Sequence, residues 1–138
     1  MSKIEYKIIK VFNDEDIEYI YKDAGWSNYT NDIPMLISAF ENSLYVYGAY
    51  EDNKLVGLVR VVGDGLTIIY IQDLLVLKSY QRQGIATKLL QNILEKYKSV
   101  RQICLMSDND NDLIQFYNFN NFIEVHKLNA VSYLYYKK

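Results

Sequence analysis

The sequence predicts an α/β (α+β) domain on a mixed, mostly antiparallel central sheet of six to seven strands, with helices on both faces. Three observations lead there. The stretch 44–77 reads as three strands joined by tight turns, an antiparallel meander. The stretch 66–106 reads strand, helix, strand, which implies a parallel pair with a right-handed crossover. The helix from Gly84 to Tyr97 sets Ile85, Leu89, Ile93 and Tyr97 on one face beside Ala86, Leu90 and Leu94, at spacings of three and four. A chain of 138 residues can bury a core without disulfide or metal support, so residues 1–138 are expected to form one domain.

The elements follow in order. Glu5 to Phe12 alternates and is rich in β-branched residues, a first strand. Asn13 or Asp14 can cap a helix that Gly25 ends, with Ile17, Ile20 and Tyr21 on its apolar face. Gly25 to Thr30 is a polar-aromatic loop holding Trp26, the only tryptophan. Asn31 or Asp32 opens a second helix, which tolerates Pro34 in its first turn. Leu44–Tyr50 and Leu55–Val62 are strands across a turn at Glu51–Lys54, and Leu66–Leu77 is a long central strand. After the helix at 84–98 come a strand at Arg101–Met106, a short helix at Asp112–Asn118, and strands at Phe122–His126 and Val131–Tyr136.

Composition excludes several classes. The net charge of −2 argues against binding nucleic acid through a basic face. No apolar run is long enough to span a membrane, and no signal peptide is visible, so a cytoplasmic protein is expected and the sequon at Asn28 reads as an accident. One cysteine and one histidine, Cys104 and His126, leave no internal disulfide and make a structural zinc site unlikely. As a Cys–His nucleophile pair they are weaker still, because Cys104 sits in an apolar run that suits a buried, inert thiol. Residues 1–70 carry −5 and residues 71–138 carry +3, so an anionic ligand should prefer the second half and a cationic one the first.

The chemistry concentrates between Asp73 and Thr87. The turn Gln81-Arg82-Gln83-Gly84-Ile85-Ala86 leads into a helix, where backbone N–H groups can gather around an anion. It has neither the Lys-Ser/Thr of a nucleotide P-loop nor the three glycines of a dinucleotide fold, and alone it reads more simply as a helix cap.

Asp73-Leu74-Leu75-Val76-Leu77, Lys78-Ser79-Tyr80 and then Gln81-x-x-Gly84-x-Ala86 resembles motif A of the GNAT superfamily of N-acetyltransferases, in which a strand is followed by Arg/Gln-x-x-Gly-x-Gly/Ala and a helix. The order of elements and the late Phe116-Tyr117-x-x-x-Asn121-Phe122 extend the resemblance along most of the chain. Asn121 stands where that family usually has glycine, and Asn tolerates a left-handed backbone better than most residues.

The resemblance implies acetyl-CoA as co-substrate and no metal. Backbone from Gln81, Arg82, Gln83, Gly84, Ile85, Ala86 and Thr87 would hold the pyrophosphate. Leu74, Leu75 and Val76 would pair with the pantetheine arm, which enters where this strand and the one at 101–106 splay apart, and Phe116 and Tyr117 would border the cofactor. Tyr117 is the implied general acid beside the sulfur. Asp73 is a candidate base, direct or through water, or else a carboxylate organising the neighbouring turn; Asp64 and Glu41 are weaker candidates. Trp26 and Tyr29 would form an acceptor wall, with Trp26 capping the core as the bland alternative. The implied reaction is direct attack by a primary amine, of a small molecule, on acetyl-CoA in a ternary complex. The alternatives are a protein or peptide acceptor, or a non-catalytic CoA-binding domain. The apolar Val-Ser-Tyr-Leu-Tyr-Tyr end motivates a homodimer.

Overall fold

Among the described residues five strands make the sheet, in the spatial order β1-β2-β3-β4-β5: β1 Ile4–Ile8, β2 Tyr45–Glu51, β3 Lys54–Gly63, β4 Ile68–Val76 and β5 Gln102–Cys104. β1 to β4 are antiparallel neighbours and β4–β5 is the parallel pair, joined through helix α4, Ile85–Lys96. This computed structural model describes residues 3–137, which fall into two compact units, one up to Met106 and one from Ser107 onward.

The first unit holds the sheet. Asn13 caps helix α1 (Asp14–Asp23) by accepting from the Asp16 amide, and Asp32 caps α3 (Ile33–Glu41) by accepting from Met35. The loop between them contains one further helical turn, α2 (Ser27–Thr30), where the sequence predicts a loop. β3 is buried along nearly its whole length because helices cover both faces. On one face Arg60 lies over the ring of Phe40 in α3, which meets Tyr21 of α1 edge-on. On the other, Gly57 leaves room for α4: a Cβ there would sit 3.1 Å from Ile85 Cγ2 and 3.2 Å from the Leu75 carbonyl. Leu58, Val59, Val61, Ile69, Leu89, Leu90 and Ile93 are fully buried in this core. Each such side chain contributes about 1.5–3 kcal/mol.

The second unit consists of α5 (Asn111–Phe119), capped by Asp110, then a left-handed turn at Asn121 with φ 69° and a 3-10 turn at Val125–Leu128. Asn121 therefore takes the backbone conformation that glycine would otherwise supply.

The expected six to seven strands are corrected to five. Phe122–His126 and Val131–Tyr136 have strand-like composition but join no ladder among the described residues. A β-pattern becomes a strand only when an edge accepts its backbone hydrogen bonds. His126 instead closes the 3-10 turn, with Asn129 left-handed after it. The first strand also ends at Ile8, although the Ile9 amide still donates to Val46.

Candidate active site

The turn after β4 is built by two left-handed residues. The chain leaves the sheet at Val76, makes a 3-10 turn at Lys78–Tyr80, and enters α4 through Arg82 at φ 65° and Gly84 at φ 81°. Gly84 is the helix N-cap, and no side chain takes up the first-turn amides. The amides of Ile85, Ala86 and Thr87 therefore stand at the positive end of the helix without an intrahelical partner. Gln81, Arg82, Gln83 and Gly84 are exposed around them. Ile85 contributes only its backbone here, since its side chain is buried against β3. The loop is tied down: the Lys78 amide donates to Asp23, the Tyr80 hydroxyl to Glu51 at 2.6 Å, and Gln81 Nε2 to the Val76 carbonyl.

A Cβ on Gly84 would meet nothing within 4 Å, so its backbone angle, not crowding, demands glycine. Gly84→Ala is expected to lose about 1 kcal/mol of stability and to weaken acetyl-CoA binding, because the turn must relax away from φ 81°. Urea midpoints and calorimetric titration check both; wild-type values in both would show that the turn has no need of glycine.

Beside this turn, β4 has an open edge. β5 pairs with it only from Ile68 to Tyr70, opposite Gln102 to Cys104, and from Ile71 to Val76 no strand among the described residues lies on that side. On its other side β4 stays paired with β3 as far as Val76 opposite Gly57. Leu75 is buried, while Leu74 and Val76 are half-buried. The register skips Gln72, since Arg60 faces Asp73 and Val61 faces Ile71, which makes a β-bulge at Gln72.

Asp73 sits at the bulge, only 2% exposed. One of its oxygens accepts from the Tyr21 hydroxyl at 2.7 Å and from Arg60 Nε at 2.8 Å; the other accepts from the Tyr29 hydroxyl at 3.2 Å. Gln72 Nε2 donates to the same Tyr29 oxygen at 3.0 Å, and Arg60 reaches Ser43 at 3.3 Å. Burial, reinforced by the Asp73 charge, pushes the Tyr21 phenol far above its ordinary range, and burial also raises Tyr29. Both phenols therefore keep their protons. Tyr21, Trp26 and Tyr29 pack ring to ring at centroid distances of 5.1–5.9 Å, with Trp26 and Tyr29 half-buried. Sequence reading brought out Asp73, Trp26 and Tyr29 but missed Arg60 and Tyr21. The signal for Arg60 was present: a lone cation inside Leu-Val-Gly-Leu-Val-Arg-Val-Val must find a buried anion.

In the second unit, Tyr117 is half-buried on α5, its ring edge-on to Phe116 at 5.0 Å and to Phe122 at 5.8 Å. Burial pushes its hydroxyl up to about 12.

The remaining candidates have structural duties. The Asp64 carboxylate is exposed and accepts from the amides of Leu66, Thr67 and Ile68 and from the Thr67 hydroxyl, which hold it well below the usual carboxylate range. A depressed folded-state value contributes stability that is present above the unfolded pKa of about 4 and fades as pH falls through the folded one. Asp64→Asn is thus expected to flatten the acid side of a stability–pH curve; an unchanged acid limb would refute that. Glu41 is exposed at the end of α3. The Cys104 thiol is half-buried, faces the Ile69 carbonyl at 3.8 Å, and is raised by burial, the opposite of an activated nucleophile. Among the described residues, no group of three or more His, Cys, Asp or Glu could hold a metal ion, and no helix is long and apolar enough to cross a membrane.

Residues 8–122 match the family model of the acetyltransferase (GNAT) family. No curated protein matches the sequence. Among solved structures, the chain is similar to a GNAT-family acetyltransferase of Streptococcus pneumoniae TIGR4, at 32% identity over 99% of each chain and a TM-score of 0.89. It is also similar to a probable acetyltransferase of meticillin-resistant Staphylococcus aureus, at 27% identity over 99% of this chain and 100% of the other, TM-score 0.76. Its fold is shared with the aminoglycoside N-acetyltransferase AAC(6′)-Iy in complex with CoA, at 14% identity over 100% and 96% of the chains, TM-score 0.74. A family model spanning most of the sequence and a relative aligned from end to end agree on one assignment: this protein belongs to the GNAT family of acetyltransferases.

Proposed function

We propose that this protein is an acetyl-CoA-dependent N-acetyltransferase acting on a primary amine of a small molecule, by direct attack in a ternary complex. The observation that supports it best is the pairing of two open backbone surfaces: the amides at the α4 N-terminus and the edge of β4 from Ile71 to Val76, which no strand among the described residues covers and whose Val76 carbonyl is held by Gln81 Nε2. The residues present fit the donor. No side-chain cap competes for the first-turn amides, and nothing crowds Gly84. Gln81 to Thr87 would bind the pyrophosphate through backbone N–H groups, with Arg82 adding charge. Leu74, Leu75 and Val76 would take the pantetheine arm as an added strand, a recognition mode that an unpaired edge allows.

Acetyl-CoA supplies the acetyl thioester; the chain's own residues position and move protons. Trp26 and Tyr29 form the acceptor wall, and Gln72 and Asp73 fix the Tyr29 hydroxyl. Asp73, ion-paired to Arg60 and accepting from two phenols, is better suited to organising that wall than to removing a proton. Tyr117 donates a proton to the departing thiolate, a role that the motif match supports. Holding two reactants together can supply much of the rate.

The test is a thermal shift with CoA and with acetyl-CoA, followed by thiol release over a panel of small amines and peptides. Stabilisation by both, with turnover on small amines, is expected. Turnover on peptides alone would move the acceptor to protein, and stabilisation without turnover on any amine would leave a CoA-binding domain.

A further inference from the structure

We infer, resting on the acetyltransferase function proposed above, that the acceptor is a monoamine with an aromatic or alkyl body, and that Tyr70 forms a third wall of its pocket beside Trp26 and Tyr29. Residues 24–40 supply the acceptor side, and they carry one charged side chain, Asp32, in a chain that is 23% charged. Asp32 is occupied as the cap of α3. What remains is neutral: half-buried rings at Trp26 and Tyr29, Met35 at 56% exposed, and exposed Ser27, Asn28 and Asn31.

The carboxylates next to this wall are already engaged. Asp73 lies beneath it, buried and ion-paired to Arg60 at 2.8 Å. Asp23, at the end of α1, accepts from the Lys78 amide at 2.8 Å. The acidic excess of residues 1–70 is concentrated elsewhere: Asp14, Glu15 and Asp16 stand in the first turn of α1, about 15 Å along that helix from the end that leads to Trp26. A polycation at this wall would lose water around several charges with no carboxylate to replace it. An amine with an apolar body loses water around one, and that desolvation favours the neutral form that attacks a thioester.

Tyr70 extends the same wall along β4. Arg60 and Val62 take one face of β3, so their partners Asp73 and Tyr70 share that face, with the bulge at Gln72 between them. On its other side Tyr70 stands opposite Cys104 of β5. Tyr70 is half-buried; burial first, then the nearby Cys104, Tyr29 and Asp73, raise its phenol, which places its ring in the surroundings of Tyr29. Gln72, exposed at the bulge, adds only an amide, and that amide donates to Tyr29.

The test is thiol release by the full chain with acetyl-CoA over four amines: 2-phenylethylamine, hexylamine, spermidine and spermine. The kcat/KM of the two monoamines is expected to exceed that of the two polyamines by about 100-fold. Equal or better turnover of the polyamines overturns the monoamine and leaves the acetyltransferase standing. No turnover on any of the four removes the small-amine acetyltransferase and the inference with it. Gln72→Glu places a carboxylate beside Tyr29 and should raise the spermidine-to-hexylamine ratio of kcat/KM by about tenfold; an unchanged ratio means that charge does not set the choice and overturns it. Tyr70→Ala should raise the KM for 2-phenylethylamine by about tenfold with acetyl-CoA affinity unchanged by calorimetry, and Tyr70→Phe, which keeps the ring, should stay near wild type. A KM unchanged in Tyr70→Ala, or raised as much in Tyr70→Phe, overturns a ring wall there.

Discussion

Tyr117→Phe should lower turnover by about 100-fold to 10,000-fold, the usual contribution of a positioned proton donor, with little change in acetyl-CoA affinity. The substitution isolates one atom. The ring stays, and so do its edge contacts with Phe116 and Phe122, so α5 keeps its packing. The hydroxyl goes, and with it the only feature of Tyr117 that can protonate a thiolate. A loss confined to kcat marks an interaction made in the transition state, whereas a matching rise in KM would mark a binding contact. Steady-state kinetics at several acetyl-CoA concentrations, with calorimetry for the affinity, separate these. Unchanged turnover would remove Tyr117 from the mechanism and leave it a packing residue of its own small cluster.

The second large effect is expected at the buried ion pair. Arg60→Met leaves the Asp73 carboxylate in the core with two phenol donors and no counter-charge. Removing one partner of a buried pair costs about 3–5 kcal/mol, a large part of a domain's whole stability. Adding Asp73→Leu should recover much of that loss, because an apolar pair replaces a lone charge; a double-mutant cycle by urea denaturation measures the coupling. Additive losses would show that the two residues do not act as a pair. The same site decides the role of Asp73. If it organises the acceptor wall, Asp73→Asn raises KM for the amine as Tyr29 loosens, and the pH–rate profile keeps its acid limb. If Asp73 is the base, kcat falls by about 100-fold or more and that limb disappears.

Local features were legible from residue order. The helix stripe Ile85, Leu89 and Ile93, the caps Asn13 and Asp32, the turn with Gly84 and the meander of β2 to β4 all follow from periodicity, capping chemistry and backbone preference, which act over a few residues. The motif from Asp73 to Ala86 and the Phe116-Tyr117 pair carried the family for the same reason: both are short and ordered along the chain. What joins distant residues was not legible. Tyr21 and Asp73 are 52 positions apart, and Arg60 meets Asp73 only through the register of β3 on β4, which a bulge at Gln72 shifts by one residue. A one-residue shift decides which face a side chain takes, and no local pattern marks it. The strand count failed for a related reason. Val131–Tyr136 has every local property of a strand, but a strand needs a neighbour, and sequence periodicity carries no information about which edge is open.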